Sequence, residues 1–117
     1  MGSDLNNEPY TAPLTLAEER RLKLQEAFEE ILGTSAAYFE PPESIRLKYP
    51  CIVYERSSGK TEFANNLPYK FDYRYTVTAM DLDPDSRIPE KLARLQCCTF
   101  DRGFVSDGLH HWVFTIY

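Results

Sequence analysis

An α+β fold is predicted, with a four-stranded, mostly antiparallel sheet and two helices packed on one of its faces. Three observations predict it. Thr15 to Leu32 repeats its apolar residues at helical spacing. Tyr69 to Met80 alternates with the period of two that defines a half-buried strand. The remaining apolar runs are short and separated by turn residues, which gives the order α-β-β-α-β-β.

The elements follow in chain order. Residues 1–13 are polar, contain Pro9 and Pro13 and show no periodicity, so a flexible N-terminal arm is expected. Residues 14–117 form a single domain. Thr15 followed by Glu18 fits a capping box, in which hydroxyl and carboxylate satisfy free amide donors reciprocally. Leu24, Ala27, Phe28, Ile31 and Leu32 make the buried stripe of the first helix, and Gly33 stands where a left-handed cap is expected. Pro41 and Pro42 break the chain after Tyr38 and Phe39. Ile45 to Tyr54 reads as extended, with Pro50 confined to a strand start or edge because it cannot donate to a ladder.

Glu55 to Pro68 is polar and too long for a tight hairpin, so it is expected to project as a loop or hairpin arm. In the following strand, Tyr69, Phe71, Tyr73, Tyr75, Val77 and Ala79 share one face. Lys70, Asp72, Arg74, Thr76 and Thr78 share the other. Asp81, Asp83, Pro84 and Asp85 read as a turn. Ser86 is the expected cap of a second helix, with Pro89 in its first turn and Ile88, Leu92 and Leu95 as its stripe. Cys97 to Phe100 and Leu109 to Tyr117 read as the last two strands, joined by a connection holding Asp101, Arg102, Gly103, Asp107 and Gly108. Both faces of the last strand are apolar, which places it inside the sheet. Two helices cannot bury their stripes on each other and still cover the sheet. The face without helices must meet water or another protein.

Composition narrows the function. The formal net charge is −5 and the pI is about 5.0, so the basic stripe that neutralises phosphates is missing. The same acidity suits a pore that passes DNA without gripping it. No apolar run approaches the roughly 18 residues of a membrane span, and the N-terminus lacks a signal-peptide pattern. Cys51, Cys97 and Cys98 are an odd set without staple spacing. They are expected to be reduced thiols acting as small buried hydrophobes, with Cys97 and Cys98 on opposite faces of a strand. No pairing with His110 and His111 has zinc-site spacing.

Motifs for chemistry are few. Asp81, Asp83 and Asp85 resemble the start of a calcium loop, but Ser86 stands where that loop needs Gly and Leu92 where it needs Glu. His110 and His111 are adjacent on a strand and point to opposite faces, so they cannot share one metal. The chain has no phosphate-binding or nucleophile-elbow motif. No catalytic residue, cofactor or metal is expected. The positive signal is a set of aromatics at element ends and in connections, namely Tyr38, Phe39, Tyr49, Phe63, Phe104 and Tyr117. Flanked by Asp and Arg, they suit an interface with an aromatic centre and a charged rim.

Four stretches carry a family resemblance. They are Tyr38-Phe39-Glu40-Pro41-Pro42-Glu43; Lys48-Tyr49-Pro50-Cys51-Ile52-Val53-Tyr54; Asp81 to Ser86 with Ile88-Pro89; and Phe100-Asp101-Arg102 through Asp107-Gly108-Leu109-His110-His111 to Phe114. Together, over residues 22–117, they resemble siphophage tail terminators and neck (head-tail joining) proteins. The resemblance implies an α/β sandwich-like subunit of a hexameric ring in the virion. The ring ends the tail tube, stops its polymerisation and docks the head-side connector. Its partners would be further copies, the tail tube protein and the connector, with DNA passing through unbound. The interface residues expected on this basis are Tyr38, Phe39, Glu40, Pro41, Pro42, Tyr49, Phe63, Asn65, Asn66, Phe100, Asp101, Arg102, Phe104 and Asp107. A head-closure or tail-completion adaptor of the neck is the nearest alternative. A small cytosolic enzyme using His110 or His111 as general base is the alternative from another class.

Overall fold

The computed structural model describes residues 13–57 and 74–117. The first helix, α1 (Leu16–Leu32), is set by the residues that announce it. Thr15 Oγ1 accepts the Glu18 N–H at 3.1 Å and Glu18 Oε1 accepts the Thr15 N–H at 3.4 Å, closing the capping box. Gly33 ends the helix at φ 73° and donates its N–H to the Glu29 carbonyl, a backbone state that costs glycine little. Strands β1 (Ala37–Phe39), β2 (Cys51–Arg56) and β3 (Tyr75–Asp81) follow. Helix α2 (Ile88–Ala93) then leads to β4 (Cys98–Ser106) and β5 (Leu109–Ile116).

The class is α+β, as expected, but among the described residues the sheet has five strands and is mixed, in the order β1-β2-β3-β5-β4. The added strand is β1, which runs parallel to β2 with Ala37 opposite Ile52 and Phe39 opposite Tyr54. Three residues cannot display an alternation, so only the tertiary pairing defines this strand. The other pairs are antiparallel, and β5 lies between β3 and β4, inside the sheet.

Both helices lie on one face. Phe28 of α1 and Ile88 and Leu92 of α2 share a single core with Ile52, Tyr54, Tyr75, Val77, Phe114 and Ile116. Phe28 meets Tyr54 edge-to-face at 4.9 Å, and Tyr54 hydroxyl donates to Gln25 Oε1. Gln25 Nε2 in turn donates to the Ala37 carbonyl at 3.0 Å, which ties α1 to edge strand β1. The alternation of β3 is realised, since Tyr75, Val77 and Ala79 are buried and Thr76, Thr78 and Met80 face the reverse side, half-exposed.

Several expectations are corrected. Glu55 and Arg56 belong to β2, not to the loop, whose remainder from residue 58 lies outside the described residues, as does the strand segment 69–73. Arg87, not Ser86, occupies the N-cap position of α2 and makes no side-chain cap bond; Ser86 Oγ, one residue earlier, accepts the Ile88 N–H at 3.3 Å. Cys97 is exposed, at φ 60°, and precedes β4 rather than lying on a strand. Only Cys51 is a buried thiol, and Cys98 is half-buried.

Candidate docking site

The connection expected between the last two strands is itself strand. β4 runs to Ser106, and a two-residue turn of Asp107 (φ 52°) and Gly108 (φ 76°) reverses the chain into β5. Two positive φ values match the primed turns whose twist suits a hairpin. The signal was present in the sequence as Asp-Gly between apolar strands.

This hairpin is the sheet's exposed edge. Every residue of β4 from Thr99 to Ser106 is exposed, and Phe100, Phe104 and Val105 are 53%, 44% and 57% accessible. A β-bulge between Phe100 and Arg102 inserts Asp101. An extra residue inverts the side-chain parity beyond it. Phe100 therefore lies on the helix side, edge-on to Phe114 at 5.3 Å. Phe104 lies on the reverse side, stacked on His111 at 4.5 Å and 11°. Gly103 and Val105 return to the helix side opposite Trp112 and His110, which stack on each other at 5.8 Å. The hairpin is thus a blade with aromatic groups on both faces. Asp101 and Arg102 pair at 2.7 Å in open solvent, where such a pair contributes little. Charge and bulge together blunt an edge that would otherwise template strand addition.

The second cluster of expected residues lies at the opposite edge of the sheet. Phe39 is half-buried and turned inward, 5.1 Å from the Tyr54 ring, with Arg21 and Arg56 over it. Tyr38 hydroxyl accepts the Lys48 N–H at 3.4 Å, so its own loop engages it. Glu40, at φ 43°, accepts the Arg56 N–H at 3.3 Å. Pro41 is half-buried, and Pro42, Glu43 and Tyr49 are exposed. The structure thus gathers Phe100, Asp101, Arg102, Phe104 and Asp107 on one edge. Tyr38 to Pro42 and Tyr49 lie on the other. Phe63, Asn65 and Asn66 lie outside the described residues.

Val105, Gly103 and Trp112 join the blade without having been singled out by sequence. A group of arginines lies away from the blade. Arg20 lies over Tyr75 at 5.7 Å and Arg74 over Tyr117 at 4.7 Å, beside the two arginines on Phe39. Arg56 also donates to the Tyr75 hydroxyl at 3.5 Å and to the Ala17 carbonyl at 3.4 Å, which ties it to the strand and to α1.

His110 and His111 point to opposite faces as their adjacency requires, and His111 Nδ1 lies 3.0 Å from the Leu109 carbonyl. Neither lines the groove of about 390 Å³ between α1 and α2, which Ala27, Ile31 and Leu95 floor and Glu30, Lys91 and Arg94 rim. Asp81 and Asp83 accept the N–H groups of Asp83 and Asp85 at 3.0 and 2.9 Å, closing successive turns. Among the described residues, no group of three or more His, Cys, Asp or Glu is placed to hold a metal, and no helix is long and apolar enough to cross a membrane. Burial pushes the Cys51 thiol up to about 11, with the Asp81 carboxylate adding to it, and burial alone pushes Cys98 to about 11. These thiols remain protonated at neutral pH, which suits packing rather than nucleophilic chemistry.

Comparison with known proteins finds no match among family models, curated proteins or solved structures.

Proposed function

We propose that this chain is a structural assembly protein of a tailed phage, a tail-terminator subunit of a ring at the head-proximal end of the tail tube. In that role it stops tube polymerisation and offers the surface on which the head connector docks. The observation that carries the reading is the β4–β5 blade, which exposes Phe100 and Val105 on one face and Phe104 on the other. An element apolar on both faces gains from being enclosed between partners. On the sheet's reverse face Met80 and Val53 are half-exposed, and among the described residues no helix packs there. A closed ring requires two different patches on each subunit, and the two sheet edges offer them. The copy number of six, the tube and connector as partners, and a place in the virion come from the family resemblance. The net charge of −5 suits a lumen that lets DNA pass unbound.

The test is capping of purified tail tubes of the cognate phage. The unaltered chain should co-sediment with tubes and add a ring at one end in negative stain. A Phe100→Ser, Phe104→Ser double variant should remain folded and lose this binding. Tubes left bare by the unaltered chain would overturn the proposal.

A further inference from the structure

We infer that the corner at residues 81–86 of one copy seats Leu82 in the groove between α1 and α2 of the next copy; this subunit contact rests on the assembly reading above. The groove holds about 390 Å³. Its floor of Ala27, Ile31 and Leu95 is apolar and half-buried, and its rim of Glu30, Lys91 and Arg94 is exposed. Apolar groups left half-wet gain when a partner's apolar side chain displaces the water over them. Two cations and one carboxylate on the rim favour an occupant that is apolar at its tip and mainly acidic around it.

The chain itself carries such a tip. Leu82 is 63% accessible and is followed by Asp83 and Asp85, both exposed. The corner is held from within. The Asp83 N–H donates to Asp81 Oδ1, the Asp85 N–H to Asp83 Oδ1 and the Ser86 N–H to the Asp83 carbonyl. A leucine presented on a fixed corner loses little freedom on docking. The next charge along, Arg87, is exposed and suits Glu30 on the rim. The corner precedes the first turn of α2, the groove flanks its last turn, and Leu82 does not line the groove of its own subunit. Each copy therefore offers both halves without joining them. Docking one into the other is head-to-tail, which is what a ring repeats. No residue of the β4–β5 blade takes part, so the blade stays free for tube and connector.

Sedimentation velocity of the full chain at rising concentration tests the contact. The unaltered chain should form species above the subunit mass. Leu82→Ser should weaken that association at least about tenfold. Arg94→Glu and Asp85→Arg should each weaken it similarly by setting like charges together, and the two combined should regain part of it. All three positions are exposed, so the melting temperature of the dilute chain should not move. A mixture of Leu82→Ser and Arg94→Glu copies keeps one sound contact and should stop at pairs. A monomer at every concentration, association that survives Leu82→Ser, a combined variant no stronger than the single ones, or a mixture that grows beyond pairs overturns the inference. A chain that caps tubes yet never self-associates would sink this contact and leave the assembly reading intact. Self-association with bare tubes would keep the contact and sink the tail reading.

Discussion

Replacing Phe28 by alanine removes the side chain through which α1 is joined to the sheet. Phe28 is 0% accessible, sits edge-on to Tyr54 and is the one fully buried residue of the helix. Phe→Ala in a core that relaxes only partly costs about 3–5 kcal/mol, the lost edge-to-face contact included. A single domain has about 5–15 kcal/mol in total, so the variant gives up a large part of it. At roughly 3–5 °C per kcal/mol for a chain of this size, a 4 kcal/mol loss lowers the melting temperature by about 12–20 °C. Urea unfolding followed by far-UV circular dichroism measures it, with the slope m unchanged. Leu16→Ala is the control, because Leu16 is 73% accessible and its loss should stay within about 0.5 kcal/mol. A Phe28→Ala loss below about 1 kcal/mol would refute the packing of α1 on this face.

Three further outcomes follow from the same structure. Thr15→Ala removes the hydroxyl half of the capping box, the acceptor of the Glu18 N–H, and should cost about 1 kcal/mol in thermal unfolding, with function unchanged. Gly108→Ala places a Cβ at φ 76° and should cost about 1 kcal/mol, read as loss of hydrogen-exchange protection along β4 and β5 before the rest of the sheet. Alkaline pH should destabilise the fold. Cys51 rises from 9.0 to about 11 on folding and Tyr54 from 10.0 to about 12, in both cases chiefly through burial. The unfolded chain loses these protons first, so stability is full below about pH 9 and falls as pH climbs toward 11 and 12. Denaturant midpoints measured between pH 8 and 11 should decline, and Cys51→Ala should decline less steeply from a lower start.

Local signals were legible where local physics decides. Thr15, Glu18 and Gly33 mark both ends of α1 because caps are satisfied within a few residues of themselves. The alternation around Val77 and Ala79 marks β3 because a sheet with helices on one face imposes it. β1 escaped because its pairing depends on β2, twelve or more residues away, and Phe39 was consequently read as a free aromatic when that pairing turns it onto Tyr54. Cys97 was read into a strand because its left-handed backbone has no sequence marker in a cysteine. The β4–β5 blade was half legible. Phe100, Phe104 and their charged neighbours stood out by composition, and Asp107-Gly108 would have given the hairpin. The bulge at Asp101, which sends the two phenylalanines to opposite faces, leaves no trace in the residues themselves.

The most direct measurement of the central claim is the length of tails made in infected cells with and without this chain, read by negative-stain microscopy. The account predicts tails of uniform length joined to heads when the chain is present, and overlong, headless tails when it is removed. Tails of normal length on joined heads in its absence would contradict it.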